Sequence, residues 1–538
     1  MTEFPPAPRR VAIRLQGDGA PRFLAAAAAA VLRCEGVEVS LVLVVPRPSV
    51  HRSVRARLRG VVTGLFERFE RAVLPGGPEA LVVSPVPALP DSAAVVRAVS
   101  PVAQAAALAE ARVDVLIDLV MEDRPDGLPV PPFGRWRLRY ANGIDGAREM
   151  TLRRPAVAMD LAVSLLTIEH ADGTRLEREV GIGAVKRTGY PRDRDAAYWR
   201  STLLPARHLA RLVAGTTIDD RLASDEPATT PDRHPRGWAM PVALDLTLGV
   251  ARKALGRALY RSNWVVLVRD RGPGAGPPTS LEGFRVIRPE PGRFFADPFV
   301  LDQGEHVRIL VEDCPVGTHR GRISSLRRDA GGSWVMDRVE LADLSHRAYP
   351  HVVSTPDGVL LTPDGGGQLG VDLFLEDGTD GTFEPFGRCL ESHAISDPTV
   401  IWHLGRYWLF VAIKEHGMSP WDELHLYSAE RLAGPWSAHP QNPVVADVRR
   451  ARPAGRIFEW NGRLVRPGQD CSRHYGGRIA LAALRELTPT TYREEHIGWV
   501  EPRGLSNITR THTYTAGRSV EAVDGFYREP RWRGSSGP

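Results

Sequence analysis

A loosely repeated unit in the second half of the chain constrains its fold more than any other feature. From about Trp264 to Tyr527, a polar motif opens a short apolar strand, and a hairpin turn such as Asn461-Gly462 leads to an aromatic-rich strand. The repeated segments are FFADPFVLDQGEHVRILVE, AYPHVVSTPDGVLLTPD, ISDPTVIWHLGRYWLFVAI and FEWNGRLVRPGQD. A two-sheet sandwich also contains many short strands, but the repetition favours a β-propeller, in which each unit forms the inner part of one blade.

The first half has a different pattern, in which strands alternate with helices. Val11–Leu15 and Val37–Val45 are predicted as buried strands, with a helix at Phe23–Arg33 between them. A second helix at Ala103–Ala111 leads into the strand Val113–Val120. This alternation predicts an open, Rossmann-type α/β sheet.

The length of 538 residues is too great for one hydrophobic core. A polar, proline-rich and acidic stretch follows Ile218 and indicates a linker. We therefore predict an α/β domain at 8–217, a linker with a short helix at 218–261, and a propeller at 262–530.

Composition excludes several classes of function. The net charge is only +5 and the arginines are scattered, so no nucleic-acid partner is expected. None of the four cysteines forms a C-x-x-C pair, so neither a zinc site nor a disulfide framework is predicted. The alanine-rich stretch Phe23–Leu32 is too short to span a bilayer. We expect a cytoplasmic protein with no metal, no cofactor and no direct membrane insertion.

Two aspartates, Asp297 and Asp397, each stand before a proline that opens an apolar strand. In a propeller such positions converge on the central channel, where two carboxylates can act together in glycoside chemistry. The alternative is that Asp-Pro merely caps a strand, since both residues are common in turns.

Glycoside chemistry also needs a carboxylic acid. Glu312 ends the apolar strand ILVED, where partial desolvation raises the pKa of a carboxyl group, and we select it as the third catalytic candidate. An ion pair with an arginine at the rim is the alternative for Glu312. The other candidates are Asp364, Glu415 and Asp470.

A dense polar segment, residues 449–475, supplies the candidate substrate-binding residues. Arginine forks bind carboxylates and phosphates, so an anionic sugar or a sugar phosphate is a natural ligand. The alternative is that these arginines pair with the channel aspartates. Together with His351 from the second repeated unit, the candidates are Arg452, Arg466, Gln469, Asp470, Arg473 and Tyr475. We assign the tryptophans of this half to blade packing rather than sugar stacking; they are Trp402, Trp408, Trp421 and Trp436.

These motifs resemble the N-terminal domain of plant glucosamine inositolphosphorylceramide transferases, a domain also present in bacterial proteins. The resemblance rests on FFADPFV, ILVED, AYPHVV, SDPTVIWHLGRYWLF, LAGPWSAHPQNPV, ARPAGRIF, RPGQDCSRHYGGRIAL and THTYTA…EAVDG. It implies a five-bladed propeller related to the arabinanase, xylosidase and levansucrase clans of glycoside hydrolases. It also implies that sugar transfer in the plant proteins belongs to a separate glycosyltransferase domain, which we do not expect in this chain.

The hydrolase clans imply that Asp297 is the base or nucleophile and that Asp397 is the second aspartate of the site. The chain lacks a clear match to the clan's acid motif. It also has Pro363-Asp364 where relatives of the domain carry Pro-Glu, so simple hydrolysis is not assured by the resemblance.

The first half resembles the formyltransferase fold, as in a bacterial group that fuses such a domain to this propeller. The resemblance rests on VDVLIDLV, FGRWRLRYANG and AAYWRSTLLPARHLARL. Formyl transfer in that fold needs an Asn, a His and an Asp. Here the histidine position falls in Arg137–Tyr140, which contains no histidine, and Asn142 and Asp145 are displaced. Without an imidazole to move the proton, we expect a scaffold that has lost catalysis.

Three functions remain open from the sequence. The first is glycosyl hydrolysis or transfer in the propeller channel. The second is a non-catalytic glycan or nucleotide-sugar binding module that supports a partner glycosyltransferase. The third is an amino-sugar formyltransferase in which the propeller presents the sugar.

Overall fold

The computed structural model describes residues 10–46, 79–85, 92–97, 100–120, 127–141, 161–184, 190–215, 248 and 251–531, apart from residues 18, 81, 253, 257, 304, 305, 319, 344 and 416. Two compact units are present, one comprising Met1–Val250 and His416–Met418 and the other comprising Ala251–Glu415 and Ser419–Pro538. Most of the predicted linker lies outside the described residues, as do Asn142 and Asp145. No helix in the described ranges is long and apolar enough to cross a membrane.

The first unit is an α/β sheet, and the predicted alternation of strands and helices is confirmed. Its elements are β1 Arg10–Gln16, β2 Gly19–Pro21, α1 Arg22–Leu32, β3 Glu38–Val45, β4 Val83–Pro85, β5 Ala94–Arg97, α2 Pro101–Ala111, β6 Val115–Asp118, β7 Arg135–Ala141, β8 Leu161–Glu169, β9 Arg175–Ala184, α3 Tyr190–Ser201 and α4 Leu204–Val213. Seven strands form one sheet in the order β5-β3-β1-β6-β7-β8-β9. The first five are parallel, β8 runs antiparallel to β7, and β9 runs antiparallel to β8 and therefore in the same direction as the first five.

The second unit consists of antiparallel sheets. Its strands are β10 Tyr260–Asp270, β11 Arg285–Ile287, β12 Arg293–Gln303, β13 His306–Pro315, β14 Arg322–Arg328, β15 Trp334–Leu341, β16 Ala348–Thr355, β17 Gly358–Asp364, β18 Leu369–Glu376, β19 Phe383–His403, β20 Arg406–Ile413, β21 Leu424–Ala429, β22 Ser437–Ala438, β23 Phe458–Trp460, β24 Arg463–Asp470, β25 Arg478–Leu487, β26 Tyr492–Val500, β27 Ile508–Arg510, β28 Tyr514–Ala516 and β29 Val520–Pro530.

These strands form the five blades of a propeller. Blade 1 is β12–β15, blade 2 runs from β16 into the first part of β19, blade 3 runs from the rest of β19 to β22, and blade 4 is β23–β26. Blade 5 combines β27, β28 and β29 with β10 and β11 from the start of the unit. Because β10 pairs with β29 from Tyr260↔Pro530 to Asp270↔Val520, the two ends of the unit close the ring.

The inner strands of blades 1, 2 and 3 share one backbone irregularity. The residue before proline in each, Asp297, Tyr349 or Asp397, has a positive φ of 49°, 44° or 53°. The strand pairing shifts register at the same points, as in a β-bulge. Positive φ is uncommon for residues other than glycine, so each bulge turns its side chain away from the regular strand face.

Side chains also tie the inner strands to one another. The Tyr349 hydroxyl lies 2.9 Å from Thr399 Oγ1 and accepts a hydrogen bond from the Gly455 backbone N–H at 2.8 Å. Blades 2, 3 and 4 are therefore joined at the centre, where the bulged residues are held together.

Candidate functional site

The Asp297 carboxylate is buried and receives donors from two other blades. Its Oδ1 accepts a hydrogen bond from Thr513 Oγ1 at 2.6 Å and lies 3.2 Å from His512 Nε2. Its Oδ2 accepts one from the Tyr349 backbone N–H at 3.2 Å. Burial opposes ionisation, but the charge of His512 and these hydrogen bonds prevail and lower the pKa of Asp297. Asp297 is therefore ionised at neutral pH.

A second carboxylate holds the other side of His512. Asp524 Oδ2 lies 2.6 Å from His512 Nδ1, and Asp524 Oδ1 accepts hydrogen bonds from the backbone N–H groups of His512 and Thr513. Burial alone would lower the pKa of His512, but the charges of Asp524 and Asp297 outweigh it and raise the pKa to about 10. A buried imidazolium thus lies between two carboxylates.

The Asp397 carboxylate is bound in a different way. Arg452 donates to both of its oxygens, at 2.5 Å from Nε and 3.0 Å from Nη2, and Gln469 Nε2 donates at 2.9 Å. The backbone N–H of Asp397 donates to Asp364 Oδ2 at 3.1 Å. Burial raises the pKa of Asp397 to about 7, against the opposing charge of Arg452. This carboxylate holds Arg452 and Gln469 in place.

Glu312, in β13, carries the third buried carboxyl group of the cluster, and its surroundings differ from those of Asp297 and Asp397. Its exposure is 9%, and in the described part of the chain no residue donates a hydrogen bond to its carboxyl group. His346 Nε2 lies 3.9 Å from its Oε1. Burial, and then the nearby charge of Asp297, raise the pKa of Glu312 well above its usual value. Both effects favour the protonated form of Glu312.

A glycine makes room for Glu312. A Cβ added at Gly321 would lie 2.8 Å from Glu312 Oε1 and 2.7 Å from the Arg347 backbone oxygen. Any larger residue at this position would displace the Glu312 carboxyl.

An aromatic wall of Trp264, Tyr475 and Trp421 borders the buried charges. The Tyr475 ring lies 6.2 Å from Trp264 and 5.8 Å from Trp421 between centroids. The His512 ring lies 4.0 Å from Trp264 and 5.1 Å from Tyr475. Because all three aromatic residues are only half-buried, the wall has a surface against which a sugar ring can pack.

The structure brings six of the ten predicted site residues into one place. Glu312 lies near enough to Asp297 for the charge of Asp297 to raise its pKa. Arg452, which binds Asp397, also contacts Tyr475, because the Arg452 guanidinium carbon lies 5.1 Å from the Tyr475 ring centre. The six residues are Asp297, Glu312, Asp397, Arg452, Gln469 and Tyr475.

The other four predicted residues have different surroundings. His351 is fully buried, its Nε2 accepts the Val400 N–H at 3.0 Å, and burial lowers its pKa to about 3. Arg466 forms two hydrogen bonds of 2.7 Å with Glu494. Both therefore stabilise the blades rather than reach towards a ligand.

Asp470 accepts a hydrogen bond from Arg478 Nε at 2.9 Å and another from the Ser472 backbone N–H at 3.0 Å. Arg473 is exposed in the loop that follows β24. The Arg452 guanidinium binds Asp397, which is the pairing with a channel aspartate that the sequence left open as an alternative. Arg466 binds Glu494 instead of a channel aspartate.

Sequence reasoning missed His512, Asp524 and Trp264 as site residues. His512 and Asp524 lie in THTYTA…EAVDG, which was read only as part of a family resemblance. The available signal was a polar run, Thr511-His512-Thr513, immediately before a short strand. Trp421 was assigned to packing, but it lies in the wall.

Two kinds of chemistry are compatible with this cluster. A protonated carboxylic acid beside an ionised carboxylate is suited to general acid–base or nucleophilic work. Asp297, His512 and Asp524 also offer metal-ligand atoms within 4.8 Å of one another. However, both imidazole nitrogens face carboxylate oxygens, so the imidazolium itself supplies the positive charge that a cation would bring.

The fold and the cluster define a five-bladed propeller with carboxyl groups gathered at its centre. Residues 286–509 match the family model described as glucosamine inositolphosphorylceramide transferase 1, N-terminal. The rice protein of that name (Oryza sativa subsp. japonica) is 32% identical over 212 residues, 38% of this chain. The Arabidopsis thaliana protein is 28% identical over 253 residues, 44% of this chain. This chain spans only 28% of the rice protein and 32% of the Arabidopsis protein.

Solved structures with some likeness to the chain are glycoside hydrolases. The GH43_1 enzyme from Xanthomonas citri complexed with xylose is 15% identical, with a TM-score of 0.33, and the match covers 44% of this chain and 87% of that chain. The Cellvibrio cellulosa alpha-L-arabinanase complexed with arabinohexaose is 13% identical, with a TM-score of 0.29, and the match covers 37% and 77%.

Proposed function

We propose that the propeller processes a carbohydrate by glycosyl hydrolysis or transfer at the central cluster. The observation that carries this proposal is the opposite behaviour of two neighbouring carboxyl groups. The pKa of Glu312 is raised and that of Asp297 is lowered. Neighbouring carboxyl groups with pKa values pushed apart are the usual basis of acid and base assignments. The transferase name of the plant relatives supports a sugar as substrate.

In the proposed reaction, Glu312 donates its proton to the leaving oxygen while the glycosidic bond breaks. The Asp297 carboxylate either takes a proton from an attacking water or sugar hydroxyl, or attacks the anomeric carbon itself. His512 and Thr513 hold Asp297 in its ionised form, and Asp397 keeps Arg452 beside Tyr475. The substrate's ring packs against the aromatic wall.

The test is a Glu312→Gln variant of the full chain, assayed on a panel of aryl glycosides and oligosaccharides. Loss of the general acid is expected to lower turnover by about 10²–10⁴-fold. The control is Glu430→Gln, since Glu430 has an 82% exposed side chain, and it should retain wild-type rates. No turnover by the wild type, or full turnover by Glu312→Gln, contradicts the proposal.

A second candidate is a non-catalytic sugar-binding module that supports a partner glycosyltransferase. One observation favours it: both oxygens of Asp397 are occupied by Arg452 and Gln469. An occupied carboxylate can position a ligand without taking part in bond cleavage. Sugar binding in the absence of any turnover would favour this function over the first.

For the first unit, we propose a formyltransferase-like scaffold without formyl-transfer activity, in a cytoplasmic protein. The strand order and the antiparallel β7–β8–β9 meander at one edge of the sheet support the scaffold. In β7, Arg135 and Arg137 bind the buried Asp118, and no histidine lies in that strand. Reduced folate titrated against the full chain is expected not to bind. Formylation of an amino sugar would instead restore the amino-sugar formyltransferase alternative.

A further inference from the structure

An arginine that the sequence analysis did not select lies beside the aromatic wall. Arg510, at the end of β27, stacks on Phe526 with 3.6 Å between the guanidinium carbon and the ring centre. The same carbon lies 5.8 Å from the Trp264 ring, and Nη1 donates to the Tyr475 backbone oxygen at 3.4 Å. The half-buried guanidinium is thus held in one plane next to two members of the wall.

Arg510 differs from the other arginines of this region in its counter-charge. Arg452 is neutralised by Asp397, and Arg478 by Asp470 and Glu501. In the described part of the propeller, Arg510 forms no ion pair with a carboxylate. Burial without a compensating charge lowers the pKa of Arg510, and no neighbouring carboxylate opposes that effect.

The position of Arg510 relates it to the central cluster. The Trp264 ring lies 5.8 Å from the Arg510 guanidinium carbon and 4.0 Å from the His512 ring, and His512 Nε2 lies 3.2 Å from Asp297 Oδ1. A sugar packed against the wall with its reacting bond at Asp297 and Glu312 therefore has a substituent within reach of Arg510. The fork of Nε and Nη2 matches the planar or tetrahedral oxygens of a carboxylate or phosphate.

We infer that the ligand of the propeller is an anionic saccharide, with a phosphate or carboxylate group that Arg510 binds while the sugar ring packs on Trp264 and Tyr475. This inference rests on the proposed carbohydrate function and specifies the substrate class. It places the anion contact at Arg510, because Arg452 and Arg466, which the sequence suggested, are bound to carboxylates.

The experiment compares matched neutral and anionic sugars by calorimetric titration of the full chain: glucose, glucose 1-phosphate, glucuronic acid, and inorganic phosphate alone. We expect an anionic sugar to bind about 10–100-fold more tightly than glucose, and this gain to shrink as salt is added. A gain for glucose 1-phosphate identifies phosphate as the preferred group, and a gain for glucuronic acid identifies carboxylate.

The variants are Arg510→Met, Arg510→Lys and the control Arg528→Met. Arg528 stacks on Tyr260 at 4.1 Å in the same sheet. Its substitution therefore removes an arginine–aromatic stack that lies outside the proposed binding site. Arg510→Met should lose the anionic preference while glucose affinity is kept, and Arg510→Lys should retain part of it. Arg528→Met should bind as wild type does.

Different failures separate the two proposals. If glucose and its anionic derivatives bind equally, or if Arg510→Met and Arg510→Lys both keep the preference, the inference about Arg510 is wrong and the carbohydrate function stands. If inorganic phosphate binds as tightly as glucose 1-phosphate, the site is an anion site without a sugar subsite, and the inference is also wrong. If no sugar binds and none is turned over, the carbohydrate function itself fails.

Discussion

Blades 1 and 3 present the same motif at the same backbone position, yet their aspartates have opposite electrostatic surroundings. Asp297 and Asp397 both precede proline, both have a φ near 50°, and both occupy a bulge in an inner strand. Asp297 faces His512 and Thr513, and its pKa is lowered. Asp397 faces Arg452, and burial raises its pKa to about 7. The motif thus fixes the position of the carboxyl group, while the other blades fix its charge.

The largest expected effect comes from removing the cation on the blade 3 side. Arg452→Met leaves the Asp397 carboxyl buried without its partner, which should lower the free energy of unfolding by about 3–5 kcal/mol. Urea unfolding of the full chain, with hydrogen exchange of the inner strands to assign the transition, measures this loss. Arg406→Met, at a pair with the exposed Glu430, should change it by less than about 0.5 kcal/mol. If Arg452→Met and Arg406→Met lose the same free energy of unfolding, the ion pair with Arg452 is not what stabilises the buried Asp397 carboxylate.

On the blade 1 side, the protonation of His512 should make the free energy of unfolding depend on pH. The folded-state pKa of about 10 lies above the ordinary value of 6.5. Protonated His512 therefore stabilises the fold fully below pH 6.5, and this contribution is lost as the pH rises towards 10. We expect wild type to lose about 4 kcal/mol of unfolding free energy across this range.

The same titration of His512→Gln supplies the control for this effect. A glutamine cannot be protonated, so the part of the pH dependence between 6.5 and 10 should disappear. Identical pH profiles for wild type and the variant would show that His512 is neutral between its two carboxylates.

The smallest effect concerns one hydrogen bond to Asp297. Thr513→Val removes the 2.6 Å bond from Thr513 Oγ1 to Asp297 Oδ1. The expected loss of unfolding free energy is about 1 kcal/mol, with a rise in the pKa of Asp297. Thr509→Val, which removes an exposed hydroxyl, serves as the matched control. An unchanged pKa of Asp297 in Thr513→Val would assign its low value to His512 alone.

The comparison of the two blades also shows what the sequence could predict. The repeated Asp-Pro units and hairpin turns were enough to predict the propeller and to place Asp297 and Asp397 in inner strands. Glu312 followed from its position at the end of ILVED. These predictions depend on local patterns within one blade.

The rest depends on contacts that the local pattern does not contain. Thr513 and Asp297 are 216 residues apart along the chain, and Arg452 and Asp397 are 55 apart. Arginine forks in turns indicate an anion, but they do not show whether that anion is a ligand or a buried carboxylate of another blade. The sequence therefore leaves open whether Arg452 and Arg466 contact a ligand, and it gives no signal for Arg510, which lies in a short strand outside the arginine-rich segment.

We propose that one carboxyl group in the cluster, that of Glu312, keeps its proton at neutral pH beside an ionised Asp297. Infrared difference spectroscopy of wild type against Glu312→Gln measures this directly through the C=O stretch of a protonated carboxyl group. We expect a protonated-carboxyl band at neutral pH in the difference between wild type and Glu312→Gln, and no such band in the difference between wild type and the Glu430→Gln control. Asp397, with a pKa of about 7, is expected to contribute its own band to all three proteins. If the difference between wild type and Glu312→Gln contains no protonated-carboxyl band, the assignment of Glu312 as the acid is wrong.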